Sequence, residues 1–229
     1  MTTGLEISKV SKYYGEGSNK VTALEQVSIS VEPGEFVAVV GPSGSGKSTF
    51  LSIAGALLKA SEGEVRLNGQ PISTFSDKEL SSVRLKEIGF IMQSSNLVPY
   101  LNVLDQLLIV KKMAGKIKAE DRAFAVKLLE ELGLGPKLKS FPEELSGGEK
   151  QRTAIARALM NHPNVILADE PTASLDTQRA HEVVNLISHQ VKTRKIAAIM
   201  VTHDERMLEY CDRVYHMEDG KLLLAERAK

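Results

Sequence analysis

The sequence predicts an α/β fold: a mainly parallel sheet core, a small antiparallel β subdomain near the start of the chain and an inserted α-helical subdomain. Three observations lead there. Unbroken apolar runs at Phe36–Val40, at Val165-Ile-Leu-Ala168 and over residues 196–202 have the length and β-branched content of strands buried on both faces, as parallel sheets require. Two earlier stretches instead carry spaced apolar residues, Leu5, Ile7 and Val10, then Val27, Ile29 and Val31, closed by the Pro33-Gly34 turn. From residue 93 to residue 160 strand signals vanish and helical spacing takes over.

Taken in order, the spaced stretches form the antiparallel sheet. The run Phe36–Val40 is a core strand that ends in a glycine-rich loop, and residues 47–58 follow as a helix with Leu51, Ala54 and Leu58 on one face. In the insert, Phe124, Leu128 and Leu132 recur every four residues. The Gly133-Leu-Gly135-Pro136 and Phe141-Pro142 breaks then precede a helix whose apolar face is Ile155, Ala158 and Leu159. The last buried strands flank a helix over residues 178–191 that carries Val184, Ile187 and Val191 on one side. The expected organisation is a single domain, 1–229, with 1–92 and 161–229 forming the α/β core with its β subdomain and 93–160 the helical subdomain.

Composition narrows the function. Charged residues make up 25% of the chain and balance, 29 basic against 29 acidic, with no basic stripe, so a nucleic-acid partner is not expected. The single cysteine, Cys211, has no partner for an internal disulfide and no metal-ligand spacing around it, which suits a reducing cytosol. The N-terminal stretch lacks the apolar core of a signal peptide. No apolar run approaches the roughly 20 residues that span a bilayer. The chain is therefore expected neither to cross a membrane nor to be secreted.

Three segments carry chemistry. Gly41-Pro42-Ser43-Gly44-Ser45-Gly46-Lys47-Ser48 fits G-x-x-x-x-G-K-[ST] and lies between a buried strand and a helix, where a phosphate-binding loop belongs. The glycines let backbone N–H groups curl around phosphate oxygens, Lys47 reaches the β- and γ-phosphates, and the Ser48 hydroxyl suits Mg²⁺. A second segment, Val165 to Glu170, ends a buried strand with two carboxylates. From there Asp169 can hold Mg²⁺ through water while Glu170 orients and deprotonates an attacking water. A third, Leu145-Ser146-Gly147-Gly148-Glu149, opens a helix with a hydroxyl and free N–H groups that suit an anion, and the same Ser and Glu also read as a helix capping box. The two readings are compatible.

The phosphate loop, Gln93, the segment from Leu145 to Glu149, Ala168-Asp-Glu-Pro171 with Leu175-Asp176, and His203 stand in the order seen in ABC transporter ATPases, and the chain resembles that family over nearly its whole length. The resemblance implies a P-loop, RecA-like core that binds ATP and Mg²⁺. It also implies a head-to-tail dimer of two copies, in which residues 41–49, through Thr49, and the Ser146 segment of the other copy sandwich each nucleotide. It assigns Gln93 to Mg²⁺ and the lytic water, Glu170 as base, His203 to the γ-phosphate, Asp176 to the dimer contact and Tyr14 to the adenine. For Tyr14 the alternative is a surface aromatic, since Tyr13 stands beside it, and for Asp176 a helix cap. His162, His181, His189 and His216 are read as structural.

The stretches Ile88 to Gln106 and Leu167 to Asp176 look like the MacB/LolD/FtsE group, whose partners are permeases with few membrane helices and an extracytoplasmic domain. Gln93-Ser-Ser-Asn-Leu-Val-Pro-Tyr-Leu101, Leu145 to Arg152 and the alanine of Pro171-Thr-Ala-Ser-Leu-Asp176 resemble the haem exporter ATPases of Gram-positive bacteria, the HrtA type. What this implies is haem efflux through a separate MacB/FtsX-like membrane permease, with the chain cytoplasmic and peripheral at the inner face of the cell membrane. Other members of the group move drugs, peptides or lipoproteins. A chromosome-maintenance ATPase of the SMC/Rad50 kind would need a long coiled coil, whereas about 70 residues without sustained heptads separate Gln93 from Pro163.

Overall fold

The computed structural model describes residues 3–15 and 20–227. Strand β1 (Leu5–Tyr14) pairs antiparallel with β2 (Val21–Val31), placing Leu5 opposite Val31, Ile7 opposite Ile29 and Val10 opposite Val27, all buried. The odd spacing of Val10 has a physical cause. Lys9 adopts a left-handed conformation (φ 49°) inside a register shift, so one extra residue is absorbed and the apolar side chains stay on one face.

After β3 (Phe36–Val40) and helix α1 (Lys47–Ala54), strand β4 (Glu62–Leu67) lines the other edge of β1, and the two-residue β5 (Gln70–Pro71) completes this small antiparallel sheet. Helix α2 (Asp77–Glu87) then leads into β6 (Ile88–Ile91). Three longer helices follow, α3 (Val103–Ala114), α4 (Ala119–Glu131) and α5 (Gly147–Leu159), before β7 (Val165–Asp169), α6 (Thr177–Arg194), β8 (Ala197–Val201), β9 (Arg213–Glu218) and β10 (Lys221–Arg227). The second sheet runs β10-β9-β3-β8-β7-β6, parallel from β9 to β6, with β10 the antiparallel edge.

The core strands are apolar throughout because successive residues serve opposite faces. Phe36, Ala38, Val40, Ile166, Ala168, Ala198 and Met200 face a core shared with α3–α6, whereas Val37, Val39, Leu167, Ile199 and Val201 face α1 and the antiparallel sheet. The helical stretch between β6 and β7 joins the first core through Leu107, Leu128, Leu129, Ile155 and Leu159, each at most 1% exposed.

One local expectation is corrected. Helix α1 ends at Ala54, not at 58: Ala56 takes the left-handed position (φ 55°), and the Leu57 and Leu58 amides both donate to the Ser52 carbonyl, turning the chain away. Gly55 sits at that turn with its α-carbon against Phe90, where an added Cβ would lie 2.3 Å from the ring. On α5 the expected apolar face holds: Ile155 and Leu159 are buried, and Ala158 is half-buried and packed against the same core. The Ala158 carbonyl also covers Gly89 of β6, at 2.6 Å from where a Cβ would stand.

Candidate nucleotide site

The carboxyl ends of β3, β7 and β8 and the segment following β6 meet at one end of the parallel sheet, the usual place for a ligand in an open α/β sheet. They enclose a cleft of about 670 Å³. Its floor is the loop from Gly41 to Thr49. Gly46, the N-cap of α1, is left-handed (φ 107°) and passes so close to β2 that a Cβ would lie 2.6 Å from the Ala23 carbonyl. At Gly41 the Met217 carbonyl would be 2.1 Å from any Cβ. Neither position has room for a side chain, and Gly46 offers no side-chain cap. The first turn of α1 therefore directs N–H groups and the positive end of the helix dipole into the cleft.

Lys47 folds back over this loop, its ammonium donating to the carbonyls of Gly41 and Pro42 at 2.7 Å each. Across the cleft stand Asp169, the last residue of β7, and Glu170, which leaves the strand in a left-handed conformation (φ 48°) with its amide donating to the Val201 carbonyl at 2.9 Å. His203, just beyond β8, places Nδ1 2.7 Å from Glu170 Oε2. Burial, and then the neighbouring Glu170 charge, push the Asp169 carboxyl above its ordinary range, while Lys47 opposes them. An anion-binding floor thus faces a pair of carboxylates that would welcome a cation.

Gln93, Ser48 and Thr49 also line the cleft, as do Ser43 and Gly44. Other expected residues lie elsewhere. Ser45 is buried beneath the loop, with its hydroxyl unpartnered among the described residues, and Pro42 contributes its carbonyl to Lys47. Tyr14 is 44% exposed at the end of β1, off the cleft wall. Tyr13 is engaged otherwise, with the Lys20 ammonium 3.5 Å above its ring and its hydroxyl donating to Glu62 at 3.3 Å.

The segment from Ser146 to Glu149 also stands apart from the chain's own cleft. Ser146 caps α5, accepting from the Glu149 amide at 3.3 Å, while the Glu149 carboxylate accepts from the Ser146 amide at 2.8 Å. The bond from the Ser146 amide, and after it the Ser146 hydroxyl and the Lys137 ammonium, hold the Glu149 carboxyl below its usual range against its partial burial. Asp176 likewise caps α6, accepting from the Arg179 amide at 3.0 Å.

Sequence reasoning missed one wall. Val21 to Ala23 of β2 and the Asp219-Gly220 turn of the β9–β10 hairpin complete the cleft, and Gly220 locks onto the loop by donating its amide to the Ser45 carbonyl at 3.0 Å. The Asp-Gly pair between two short apolar runs was the available signal for that hairpin.

Ser48, Gln93 and Asp169 offer oxygen donors of the kind that suit a hard divalent cation. Among the described residues no group of three or more His, Cys, Asp and Glu is placed to hold a metal ion unaided. The donor set thus fits a cation that arrives with a polyphosphate and takes part of its coordination from it. No helix of the described residues is long and apolar enough to cross a membrane.

The family model for ABC transporters matches residues 24–173. A Staphylococcus saprophyticus protein assigned by name to hemin import, the ATP-binding protein HrtA, is 50% identical over 216 residues, covering 94% of this chain and 97% of that protein. Its namesake in Staphylococcus aureus strain Newman is 48% identical over 218 residues, covering 95% and 98%. Among solved structures, the ATP-binding cassette MJ0796, a dimer in a post-hydrolysis state bound to ADP and Pi, superposes with a TM-score of 0.86 at 35% identity over 98% of this chain and 99% of that one. Clostridium perfringens cbiO1, part of the ABC transporter complex cbiONQ, gives 0.88 at 28% identity over 100% and 90%. With a phosphate loop, paired carboxylates and His203 gathered on one cleft, and with likeness to these proteins along almost its full length, the chain belongs to the ABC transporter family as an ATP-binding, ATP-hydrolysing subunit.

Proposed function

We propose that the chain powers haem efflux, working as a head-to-tail dimer beneath a separate MacB/FtsX-like permease at the inner face of the cell membrane. The observation that carries the substrate is the near-half identity, over almost the entire length, to two proteins named for hemin. Those names state import. The outward direction rests on the resemblance of residues 93–101 and 145–152 to haem exporter ATPases. The dimer draws support from the MJ0796 cassette, which was solved in that state.

In this reading ATP phosphates settle on residues 41–49, and Lys47 exchanges its two carbonyl partners for β- and γ-phosphate oxygens. Ser48, Gln93 and Asp169 would hold Mg²⁺, which would supply positive charge against the phosphate oxygens. Glu170 takes a proton from the attacking water, with its carboxylate held by His203, which also meets the γ-phosphate. Ser146 and Gly147 to Glu149 close the site from the second copy. Tyr14 receives the adenine, supported by its exposure: the Lys12 ammonium stands 5.4 Å from its ring, whereas Tyr13 is held more closely by Lys20 and Glu62. Residues 93–160 act as the helical subdomain that meets the permease.

The test is growth against rising haemin of a strain lacking this chain, compared with strains restored by the native chain or by Glu170→Gln. Efflux predicts that loss sensitises cells and that only the native form rescues them. Improved tolerance on loss, with poorer growth on haemin as the iron source, would reverse the direction. Identical growth would remove haem as substrate.

A further inference from the structure

Helix α3 keeps its apolar residues on one face as far as Leu108, and its last turn breaks the pattern. Val103, Leu104, Leu107 and Leu108 are buried, whereas Met113, on the opposite side of the helix from Leu104, is 70% exposed. Ile117, in the link to α4, is 41% exposed. Around these two side chains stand Lys111, Lys112, Lys116 and Lys118, with no acidic residue between Asp105 and Glu120. The balance of 29 basic and 29 acidic residues over the whole chain conceals this local excess.

Folding adds to the cluster. The α3–α4 corner lies against the end of α2, where Lys86 joins Lys111, Lys116, Lys118, Glu120 and Asp121 around a cavity of about 290 Å³. Two of these lysines are neutralised, Lys111 by Asp121 at 3.1 Å and Lys118 by Glu120 at 3.2 Å. Lys86, Lys112 and Lys116 are exposed and form no ion pair among the described residues. Unpaired like charges at close quarters repel one another, and an anionic surface relieves them. The exposed Met113 and Ile117 add a second requirement, a partner that is apolar just beneath its charge. A bilayer with anionic headgroups meets both, through its phosphates and the acyl chains below them.

The corner is also clear of the nucleotide. Lys86 and Asn161, which both line the cavity, precede β6 and β7, so the corner stands at the amino ends of strands whose carboxyl ends face the cleft. Helix α5, about 20 Å long, separates it from the Ser146 segment, so a second copy seated there leaves the corner open. We propose that the α3–α4 corner is a docking surface for an anionic lipid bilayer, with Met113 and Ile117 entering the headgroup region and Lys86, Lys112 and Lys116 meeting lipid phosphates. The contact is the chain's own and rests on neither the permease nor the haem assignment.

The test is cosedimentation of the purified full chain with vesicles of phosphatidylcholine alone or mixed with phosphatidylglycerol, at low and at raised salt. Binding is expected to the mixed vesicles and not to the neutral ones, and it weakens as salt screens the charges. A lysine near an anionic surface is worth about fivefold in affinity, so Lys86→Gln, Lys112→Gln and Lys116→Gln together should lower it about a hundredfold. Met113→Ser with Ile117→Ser should lower it about tenfold, by removing the apolar groups that enter the headgroup layer. Lys59→Gln, Lys195→Gln and Lys221→Gln together change the net charge equally at exposed positions elsewhere and should bind as the native chain does. The Tm of each variant ensures that folded chains are compared. Equal loss in the two lysine triples, or no effect of the apolar pair, reduces the contact to net charge and overturns the proposal. A native chain that does not bind protein-free anionic vesicles overturns it as well and leaves the corner to a protein partner.

Discussion

Replacing Glu170 by Gln removes one charge and almost no volume. Glu170 sits one residue past β7 with φ 48° and its amide fixed to the Val201 carbonyl, so the backbone aims the side chain and a glutamine occupies the same place. Its amide can still meet His203, which lies 2.7 Å from the carboxylate. What it cannot do is accept a proton. General-base catalysis is worth about 10²- to 10⁴-fold, so kcat should fall by that factor, or about 2.7 to 5.4 kcal/mol in the barrier at 1.36 kcal/mol per decade.

Binding should move the other way. The Glu170 charge is the second cause, after burial, of the raised Asp169 pKa, and its removal leaves Asp169 easier to ionise opposite Lys47. Affinity for ATP is therefore kept or improved, and the variant accumulates as a closed dimer. Single-turnover hydrolysis of labelled ATP, equilibrium binding and size-exclusion chromatography with ATP measure the three quantities separately. A variant that hydrolyses at the parental rate, or that loses binding in proportion to turnover, would refute the assignment of Glu170 as base.

Two other perturbations test the assembly and the core. Mixing a Ser146→Ala chain with a Lys47→Ala chain, each inactive alone, should restore ATP hydrolysis, because a mixed dimer places both lesions in one composite site and leaves the other whole; complete inactivity counts against independent sites in trans. Burial pushes the Cys211 thiol up to about 12, against about 8.5 in an unfolded chain. The native state therefore keeps a proton that the unfolded state releases, and stability falls as pH rises from about 8.5 toward 12. Urea unfolding from pH 7 to 10 should show that decline, and a Cys211→Ala chain should lose less over the same range. An identical slope in both would assign the alkaline loss to other groups.

Parallel strands were legible because burial on both faces demands continuous apolar runs, and Phe36–Val40 and Val165–Asp169 satisfy that demand on their own. The phosphate loop and the caps Ser146 and Asp176 were legible for a related reason: each is a bond between residues a few positions apart. Helix α2 was overlooked although its Ser76–Glu79 capping box was available, since its single buried residue, Leu80, gives almost no periodic pattern. The end of α1 was misplaced although Gly55, its C-cap, was an available local stop signal, because Leu58 continues the apolar spacing past it.

The sequence by itself determined the family, the strand–loop–helix order around residues 41–49 and the residue types available to line the cleft, since all of these are written in short stretches of chain. The tertiary structure alone decided that β3 lies between β9 and β8, and that the Asp219-Gly220 turn supports the phosphate loop. It also decided that Glu170 leaves its strand left-handed against His203, and that Arg157 donates to the Ser95 and Asn96 carbonyls. Those arrangements are pairings across distant parts of the chain, stable only once the sheet has closed and water has left it, so no stretch of sequence records them.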